Sequence, residues 1–210
     1  MELAKGHRRP SMCTYTGVEF FPLDPEPGKV WLADVAHHLS MTCRYRGATR
    51  WFYSVAEHSV EVSARAQALP HEGRDWRMVG TWGLLHDAAE AYLCDMVSPL
   101  KRCLPEFVEY EERVTRAVAE RFGLPWPPPF EVMQADRDVF AGELAAGVMP
   151  RPDWWVQPGP PNDWCASPGF THKGPEAAES AFLVEAEYLL GPDRYWALLA
   201  PPEFARANRA

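Results

Sequence analysis

The chain has no apolar run of the roughly 18 residues that a membrane-spanning helix needs, so we expect no membrane partner. No apolar segment follows the basic residues at its N-terminus, so we expect no secretory signal and a cytoplasmic protein. The five cysteines are an odd number, and no two of them have the Cys-x-x-Cys spacing. They therefore predict reduced thiols and argue against a disulfide framework or a cysteine-based zinc site.

Positive charge is also scarce, with 21 basic against 29 acidic residues and a formal net charge of -8. This balance argues against a duplex nucleic-acid binder, because phosphate neutralisation needs a basic face. The glycine-rich loops that cradle nucleotide phosphates, Gly-x-x-x-x-Gly-Lys-Ser/Thr and Gly-x-Gly-x-x-Gly, are absent from the sequence. Any phosphate must therefore be recognised by side chains or by a metal.

What the chain does have is the length and composition of a single globular domain, with 210 residues of which 47% are hydrophobic. Segments with strand-like patterns are hard to find, so the sequence predicts an all-α fold. We expect four parts: an extended arm over 1–30, a helical core over 34–148, a Pro- and Trp-rich loop over 150–175, and a C-terminal helical part over 176–200.

Capping patterns and apolar periodicity place the helices. Asp34 is expected to cap the first helix, and Ser54 with Glu57 has the capping-box pattern for the second. The predicted helices cover 35–41, a segment that begins at 54, 76–92, 104–122, 131–148 and 175–190. Residues 44–53 are expected to form a loop and 201–210 a frayed tail.

The chemistry centres on His86 and Asp87, which are adjacent inside an apolar run over 83–92. Ionisable groups in a core are costly unless they are paired or bind a metal. Together with His58, whose helix position predicts an inward side chain, and Asp136, they offer mixed nitrogen and oxygen ligands for one divalent metal. The plainer alternative is a hydrogen-bonded core histidine.

Two carboxylates lie near this pair in the sequence. On a continuous helix, Glu90 shares a face with His86 and Asp87, where it could accept a proton from an attacking water. Asp95 could take a second proton or hold a substrate hydroxyl. The alternatives are that Asp95 caps the next turn and that Glu90 is a solvated helix position.

These motifs, Glu57-His58-Ser59-Val60, the run 85–101 and Gln134-Ala135-Asp136, resemble the HD-domain phosphohydrolase superfamily. The similarity extends over about 34–143 and is greatest to the bacterial 5'-deoxynucleotidase branch and related phage nucleotide hydrolases. It implies an HD-domain helical bundle with one divalent metal per site, which could be manganese, cobalt, zinc, iron or magnesium.

The resemblance also implies the role of each residue. It makes Glu90 the residue that activates or orients the attacking water, and Asp95 the carboxylate that assists near the sugar. Asp138 is a rival for the last ligand, but its side chain should point about 200° away from that of Asp136 on a helix. The sequence context favours Asp136. The implied metal ligands are His58, His86, Asp87 and Asp136.

An Arg-Trp pair precedes the first ligand histidine in the deoxynucleotidases, and the matching place here reads Arg44-Tyr45. Arg44 is a candidate phosphate clamp, since a guanidinium matches phosphate oxygens. Tyr45 in place of tryptophan leaves selection against the ribose 2'-hydroxyl open. Further cations that could contact substrate are Lys101, Arg46 and Arg50. We expect His37 and His38 to be structural or to line the rim of the pocket.

The expected activity is thus hydrolysis of small deoxynucleotides, with a 5'-deoxynucleotidase favoured over a deoxynucleoside triphosphate triphosphohydrolase. Extra cations would favour the second reaction. A non-hydrolytic nucleotide sensor and a di-iron oxygenase are alternatives that fit less well. Members of the superfamily that the chain resembles are commonly dimers, so a homo-oligomer is expected. The tryptophans within 151–165 could pack on the core or at a subunit interface, or stack on a base.

Overall fold

A computed structural model describes residues 10–150, 152–154 and 173–207. It confirms the prediction of an all-α fold, with 62% of the residues in helices and 3% in strands. Among the helices in these ranges, none has the length and apolar character of a membrane span. The strands are β1 Met12–Cys13 and β2 Glu19–Phe20, and the helices are α1 Leu32–Met41, α2 Val55–Ala68, α3 Trp76–Leu85, α4 Ser98–Lys101, α5 Pro105–Arg121, α6 Phe130–Ala145, α7 Pro175–Leu190, α8 Pro192–Leu199 and α9 Pro202–Ala207.

Helix α2 is central, with α1, α3, α6 and α7 packed around it. Its closest neighbour is α3, and the two helices can approach because Gly83 has no side chain at their contact. A Cβ atom at Gly83 would lie 2.9 Å from the Cα atom of Ser63 on α2. The core on one side of this pair includes Leu84, Leu85 and Phe182, all nearly or fully buried.

The predicted capping box at the start of α2 is confirmed. The Ser54 hydroxyl accepts a hydrogen bond from the Glu57 amide, and the Glu57 carboxylate accepts one from the Ser54 amide. This arrangement satisfies amide groups that the first turn of a helix leaves without partners. It therefore fixes where α2 begins, with the cap at Ser54 four residues before His58.

The predicted cap at Asp34 is wrong, because Trp31 precedes α1 and Asp34 lies inside it. The buried Asp34 carboxylate instead accepts hydrogen bonds from the Thr16 amide at 2.7 Å and the Thr16 hydroxyl at 3.0 Å. Thr16 lies between the antiparallel strands β1 and β2. The expected arm over 1–30 therefore contains, in its described part, a small hairpin anchored to α1.

The predicted helix over 76–92 is too long, since α3 ends at Leu85. His86 forms the end of the helix, and its Nδ1 donates to the Gly83 carbonyl at 2.8 Å. The backbone of Asp87 then leaves the helical region, and Ala88–Ala91 forms a 3₁₀ turn. The His86 side chain thus provides the hydrogen bond to a carbonyl of the last turn. Because the helix does not continue, His86, Asp87 and Glu90 do not share the helical face that the sequence predicted.

Three further segments can be compared with their predictions. Arg44–Gly47, expected as part of a loop, forms a tight turn in which Tyr45 and Arg46 have positive φ. Pro202–Ala207, expected within a frayed tail, is helical. Most of the loop over 150–175, including most of the tryptophan-rich stretch 151–165, lies outside the described residues. Within its described part, Trp154 is 81% exposed and does not pack on the core.

Candidate functional site

Side chains from three parts of the bundle converge beside α2. The Nε2 atoms of His58 and His86 are 3.3 Å apart. Asp136 Oδ1, from α6, lies 3.2 Å from His58 Nε2 and 4.0 Å from His86 Nε2. Asp87 Oδ2 lies 3.1 Å from His86 Nε2 and 3.7 Å from His58 Nε2. The four residues proposed as metal ligands are therefore neighbours in space.

The spacing of these atoms suits a single cation. Ligands that each lie about 2.0–2.2 Å from one metal are about 3–3.5 Å from their neighbours. In the described part of the chain, His58, His86 and Asp136 form a group that could hold a metal ion, because their ligand atoms all lie within 4.8 Å of one another. Two imidazoles with carboxylate oxygens form a donor set for a borderline or hard divalent metal. The residues present thus fit the metal that the sequence predicts.

Both imidazoles are held so that Nε2 faces the cluster. His86 Nδ1 donates to the Gly83 carbonyl at 2.8 Å, and His58 Nδ1 lies 2.7 Å from Glu143 Oε1. A carbonyl or carboxylate at Nδ1 keeps the proton on that nitrogen and leaves the Nε2 lone pair for a metal.

The electrostatics of the cluster reflect dense packing of opposite charges. Burial and the nearby Arg44 lower the pKa of His58, but Glu143 and Asp136 outweigh them and raise it to about 9. Burial would raise the pKa of Asp87 and of Asp136, yet the two histidines hold both values below the usual range. Both carboxyls are therefore ionised near neutral pH, as metal ligands must be.

Asp138 does not take part in this cluster. Its Oδ2 accepts hydrogen bonds from Arg65 Nε at 2.6 Å and Arg65 Nη2 at 2.6 Å. Asp136 instead faces the imidazoles. The two carboxylates that the sequence left as rivals therefore have different partners: Asp136, which the motif favoured, lies at the imidazoles, and Asp138 pairs with Arg65.

Glu90 lies between two cavities beside the cluster. The first, about 300 Å³, is lined by Glu90 together with His86 and Asp87. The second, about 460 Å³, is lined by Glu90 and Asp95. Glu90 Oε2 is buried and has no hydrogen-bond partner among the residues that the structure describes.

Burial raises the pKa of Glu90 well above its usual value, and the negative charges of Asp87 and Asp95 add to the effect. The pKa of Asp95 is also raised, mainly by burial. Carboxyl groups with raised pKa values next to a cavity are candidates for proton transfer. The structure thus places Glu90 at the cluster and Asp95 across the second cavity.

Arg44 and Tyr45 both lie at the cluster but contact protein carboxylates. Arg44 Nη1 is 3.5 Å from Asp87 Oδ2, and Arg44 Nε is 3.4 Å from Glu143 Oε1. The Tyr45 hydroxyl donates a hydrogen bond to Glu143 Oε2. The backbone turn that carries them places both Tyr45 and Arg46 at positive φ, 54° and 56°.

The other predicted cations differ in their surroundings. Lys101 lines the first cavity and forms an ion pair with Glu111 at 2.7 Å. Arg46 lines the second cavity. The Arg50 amide donates to the Val148 carbonyl at 2.8 Å, which places this residue beside the segment that follows α6.

His37 and His38 are not part of the cluster. The His37 ring stacks on Tyr15 with centroids 3.7 Å apart, and its Nδ1 is 3.1 Å from Glu179 Oε2. His38 Nδ1 donates to the Ala91 carbonyl at 2.6 Å. These contacts agree with a structural role, in which α1 is tied to α7 and to the turn that follows the cluster.

Glu143 is the site residue that the sequence analysis missed. Its side chain is fully buried on α6, where it contacts His58, Arg44 and Tyr45. Burial would raise its pKa, but Arg44 and His58 hold it below the usual value. One signal was present, since Glu143 follows Asp136 by seven residues and such residues share a helical face.

Comparison with known proteins identifies uncharacterized relatives, and no protein-family model matches the chain. An uncharacterized protein of Rhodobacter capsulatus is 42% identical over 117 residues, which cover 54% of this chain and 58% of that protein. The uncharacterized protein YfdR of Escherichia coli K12 is 35% identical over 130 residues, which cover 62% of this chain and 68% of YfdR. The chain thus spans under two thirds of the first relative and just over two thirds of the second.

Proposed function

The chain belongs to the family of the Escherichia coli protein YfdR, and we propose that it is a metal-dependent phosphohydrolase of nucleotides, a 5'-deoxynucleotidase in its simplest form. One observation carries the proposal: side-chain atoms of His58, His86, Asp87 and Asp136 converge beside Glu90, which has a buried carboxyl oxygen with no hydrogen-bond partner among the described residues. The resemblance of the His58, His86-Asp87 and Asp136 motifs to HD-domain phosphohydrolases supports the same reaction.

The proposed metal ligands are His58, His86, Asp87 and Asp136. A divalent metal bound there would polarise a phosphoryl oxygen and lower the pKa of the attacking water. Glu90, whose carboxyl lines the cavity next to His86 and Asp87, would orient this water and accept its proton.

Asp95 and Arg46 would bind the rest of the substrate. They line the 460 Å³ cavity that begins at Glu90, so we propose that the sugar enters from this side. Asp95 would hold a sugar hydroxyl or assist proton transfer. Arg44 would steady the phosphate through its Nη1 end, which lies at Asp87, because a guanidinium can bind a second anion at its edge.

A monophosphate fits the charges better than a triphosphate. Lys101, which could have bound further phosphates, is already paired with Glu111 in a cavity that Glu112 also lines. Arg46 remains on a cavity wall, so triphosphohydrolase chemistry is the second candidate. We further propose that a homo-oligomer acts on a small nucleotide, as the resemblance implies, and that it does so in the cytoplasm, as the odd number of cysteines indicates.

A nucleotide sensor and a di-iron oxygenase are less well supported. A pure sensor would not need both Glu90 and Asp95 beside the cluster. A di-iron oxygenase would need additional histidine ligands. In the ranges that the structure describes, the remaining histidines His37, His38 and His71 are bonded elsewhere.

The test is product analysis on ribo- and deoxynucleoside mono-, di- and triphosphates with manganese, cobalt, zinc and magnesium in turn. We expect inorganic phosphate from deoxynucleoside monophosphates. Tripolyphosphate from a triphosphate would establish the second candidate. Tight metal binding without turnover of any nucleotide would contradict a hydrolase and favour the sensor.

Glu90→Gln should lower the rate about 10²–10⁴-fold, as expected for a lost general base, while the metal stays bound. The matched control is Glu109→Gln, since Glu109 on α5 is exposed and makes only a loose pair with Arg113 at 3.8 Å. Equal loss of rate in both variants would show that Glu90 has no special role.

A further inference from the structure

Glu143 is a buried charge to which the proposed reaction gives no role. We infer that Glu143 is a positioning residue that orients both a metal ligand, His58, and the phosphate-binding residue, Arg44. The inference rests on the proposed function, because it assumes a metal at the cluster. It goes beyond that function by giving one carboxylate two tasks, one at the proposed metal ligand His58 and one at the proposed phosphate-binding Arg44.

The first task concerns His58, which is fully buried. Glu143 Oε1 lies 2.7 Å from His58 Nδ1, on the side of the ring away from the cluster. A carboxylate there holds the proton on Nδ1, fixes the orientation of the ring and makes Nε2 a better electron-pair donor to a metal. His58 Nε2 accordingly faces Asp136 at 3.2 Å.

The second task concerns the turn of Arg44, Tyr45 and Arg46. Two successive residues other than glycine at positive φ are unfavourable, so surrounding contacts must hold this turn. Backbone hydrogen bonds hold its ends, and Glu143 holds two of its side chains, since it accepts from the Tyr45 hydroxyl through Oε2 and contacts Arg44 Nη2 at 3.5 Å.

The charge of Glu143 matters as well as its shape. The Arg44 side chain is only 12% exposed, and a cation so buried needs an anion. With Glu143 at Nε and Nη2, the Nη1 end of Arg44 reaches Asp87, at the edge of the proposed metal site. Glu143 therefore determines where the Nη1 end of the guanidinium points.

Two substitutions separate these roles. Glu143→Ala removes the acceptor for His58 and the anion for Arg44. Glu143→Gln keeps an oxygen that can accept from His58 Nδ1, but it removes the charge and places an amide donor against Arg44, which has no acceptor. The matched control is Glu131→Gln, because Glu131 is another buried glutamate of α6 and pairs with Arg74 away from the cluster.

The measurements are calorimetric titrations of metal-free protein with Mn²⁺ or Zn²⁺, and of the metal-loaded protein with inorganic phosphate. For Glu143→Ala we expect the metal Kd to rise about 10–100-fold, as is typical when a residue that orients a ligand is lost. For Glu143→Gln we expect a smaller rise in metal Kd and a rise of about 10-fold in phosphate Kd. Imidazole ¹H–¹⁵N spectra of the zinc-loaded proteins should show a slowly exchanging Nδ1–H proton on His58 in the native protein and faster exchange of that proton in Glu143→Ala, which has no acceptor for it.

The outcomes distinguish the inference from the function. Native protein that binds no metal would refute the proposed function itself. Native protein that binds metal, with a Glu143→Gln variant no different from Glu131→Gln in either Kd, would overturn the inference alone. If Glu143→Ala fails to fold, the phosphate Kd of Glu143→Gln decides, since an unchanged value overturns the positioning of Arg44.

Discussion

At the scale of single residues, two aspartates close together on α6 have different tasks. Asp136 faces two imidazoles, with Oδ1 at 3.2 Å from His58 Nε2. Asp138 forms two 2.6 Å contacts with Arg65, and this pair is largely buried. Helical geometry turns side chains two residues apart to opposite directions, so one of them serves the site and the other the fold.

This contrast gives a paired prediction. Asp136→Asn should weaken Mn²⁺ or Zn²⁺ binding by at least about 100-fold, because loss of a direct ligand should exceed the 10–100-fold effect of residues that only orient ligands. Asp138→Asn should leave metal affinity nearly unchanged and lower the free energy of unfolding by about 1.5–3 kcal/mol, the range for hydrogen bonds to charged groups. Calorimetry and urea denaturation measure the two effects, and reversed results would assign the ligand to Asp138.

Much of the site was predictable at this scale, because its residues lie in short motifs. His86-Asp87 is conspicuous in an apolar run, and Ser54 with Glu57 sets the phase of the helix that carries His58. Glu143 was not predictable with the same ease, since a lone glutamate on a helix is usually solvated. Its burial depends on Arg44 and Tyr45, 99 and 98 residues away in sequence.

At the scale of elements, the contact between α2 and α3 brings His58 and His86 together. The contact is close because a Cβ atom at Gly83 would lie 2.9 Å from Ser63 Cα and 3.1 Å from the Val62 carbonyl oxygen. Backbone atoms cannot move aside as a flexible side chain can. The distance between the imidazoles therefore depends on a glycine that binds nothing itself.

Gly83→Ala should accordingly force the two helices apart. We expect a loss of about 1–3 kcal/mol in the free energy of unfolding, the usual cost of overpacking a core. The separation of His58 and His86 should also weaken metal binding. Gly28→Ala is the control, since nothing lies within 4 Å of the position of its added Cβ atom. Urea denaturation and metal titration of both variants would test this, and equal behaviour would contradict the proposed role of Gly83.

Helix ends were less predictable than helix positions. The apolar pattern of α3 continues beyond Leu85, so periodicity alone extends the helix to 92. The actual end depends on the bond from His86 Nδ1 to the Gly83 carbonyl, which propensity does not include. In the same way, Asp34 is a residue type that often caps helices, but its carboxylate accepts a hydrogen bond from the Thr16 amide in the hairpin instead.

At the scale of the whole molecule, α7 completes the core that holds the site. It packs against α1, α2 and α3, and Phe182 on its inner face is fully buried. Glu185, also on α7, accepts hydrogen bonds from Ser63 at 2.8 Å and Gln67 at 2.7 Å on α2. The sequence predicted this helix well, but no local pattern indicated that it packs on the two histidine-bearing segments.

Phe182→Ala should therefore destabilise the entire molecule. We expect a loss of about 3–5 kcal/mol in the free energy of unfolding, as for other buried aromatic residues changed to alanine. Val184→Ala on the same helix should change stability by less than about 0.5 kcal/mol, because Val184 is 67% exposed. Thermal and urea unfolding of both variants provide the test. Similar stabilities would show that α7 is not an integral part of the core.

The early end of α3 has an electrostatic consequence for the site. A helix carries a macrodipole with about half a negative charge at its C-terminus, where the last carbonyls lack helical partners. Because α3 stops at Leu85, this negative end lies next to His86 and Asp87. A continuous helix over 76–92 would have placed it more than one turn away. The negative end of α3 thus attracts a cation to this place, in addition to the attraction by the charged aspartates.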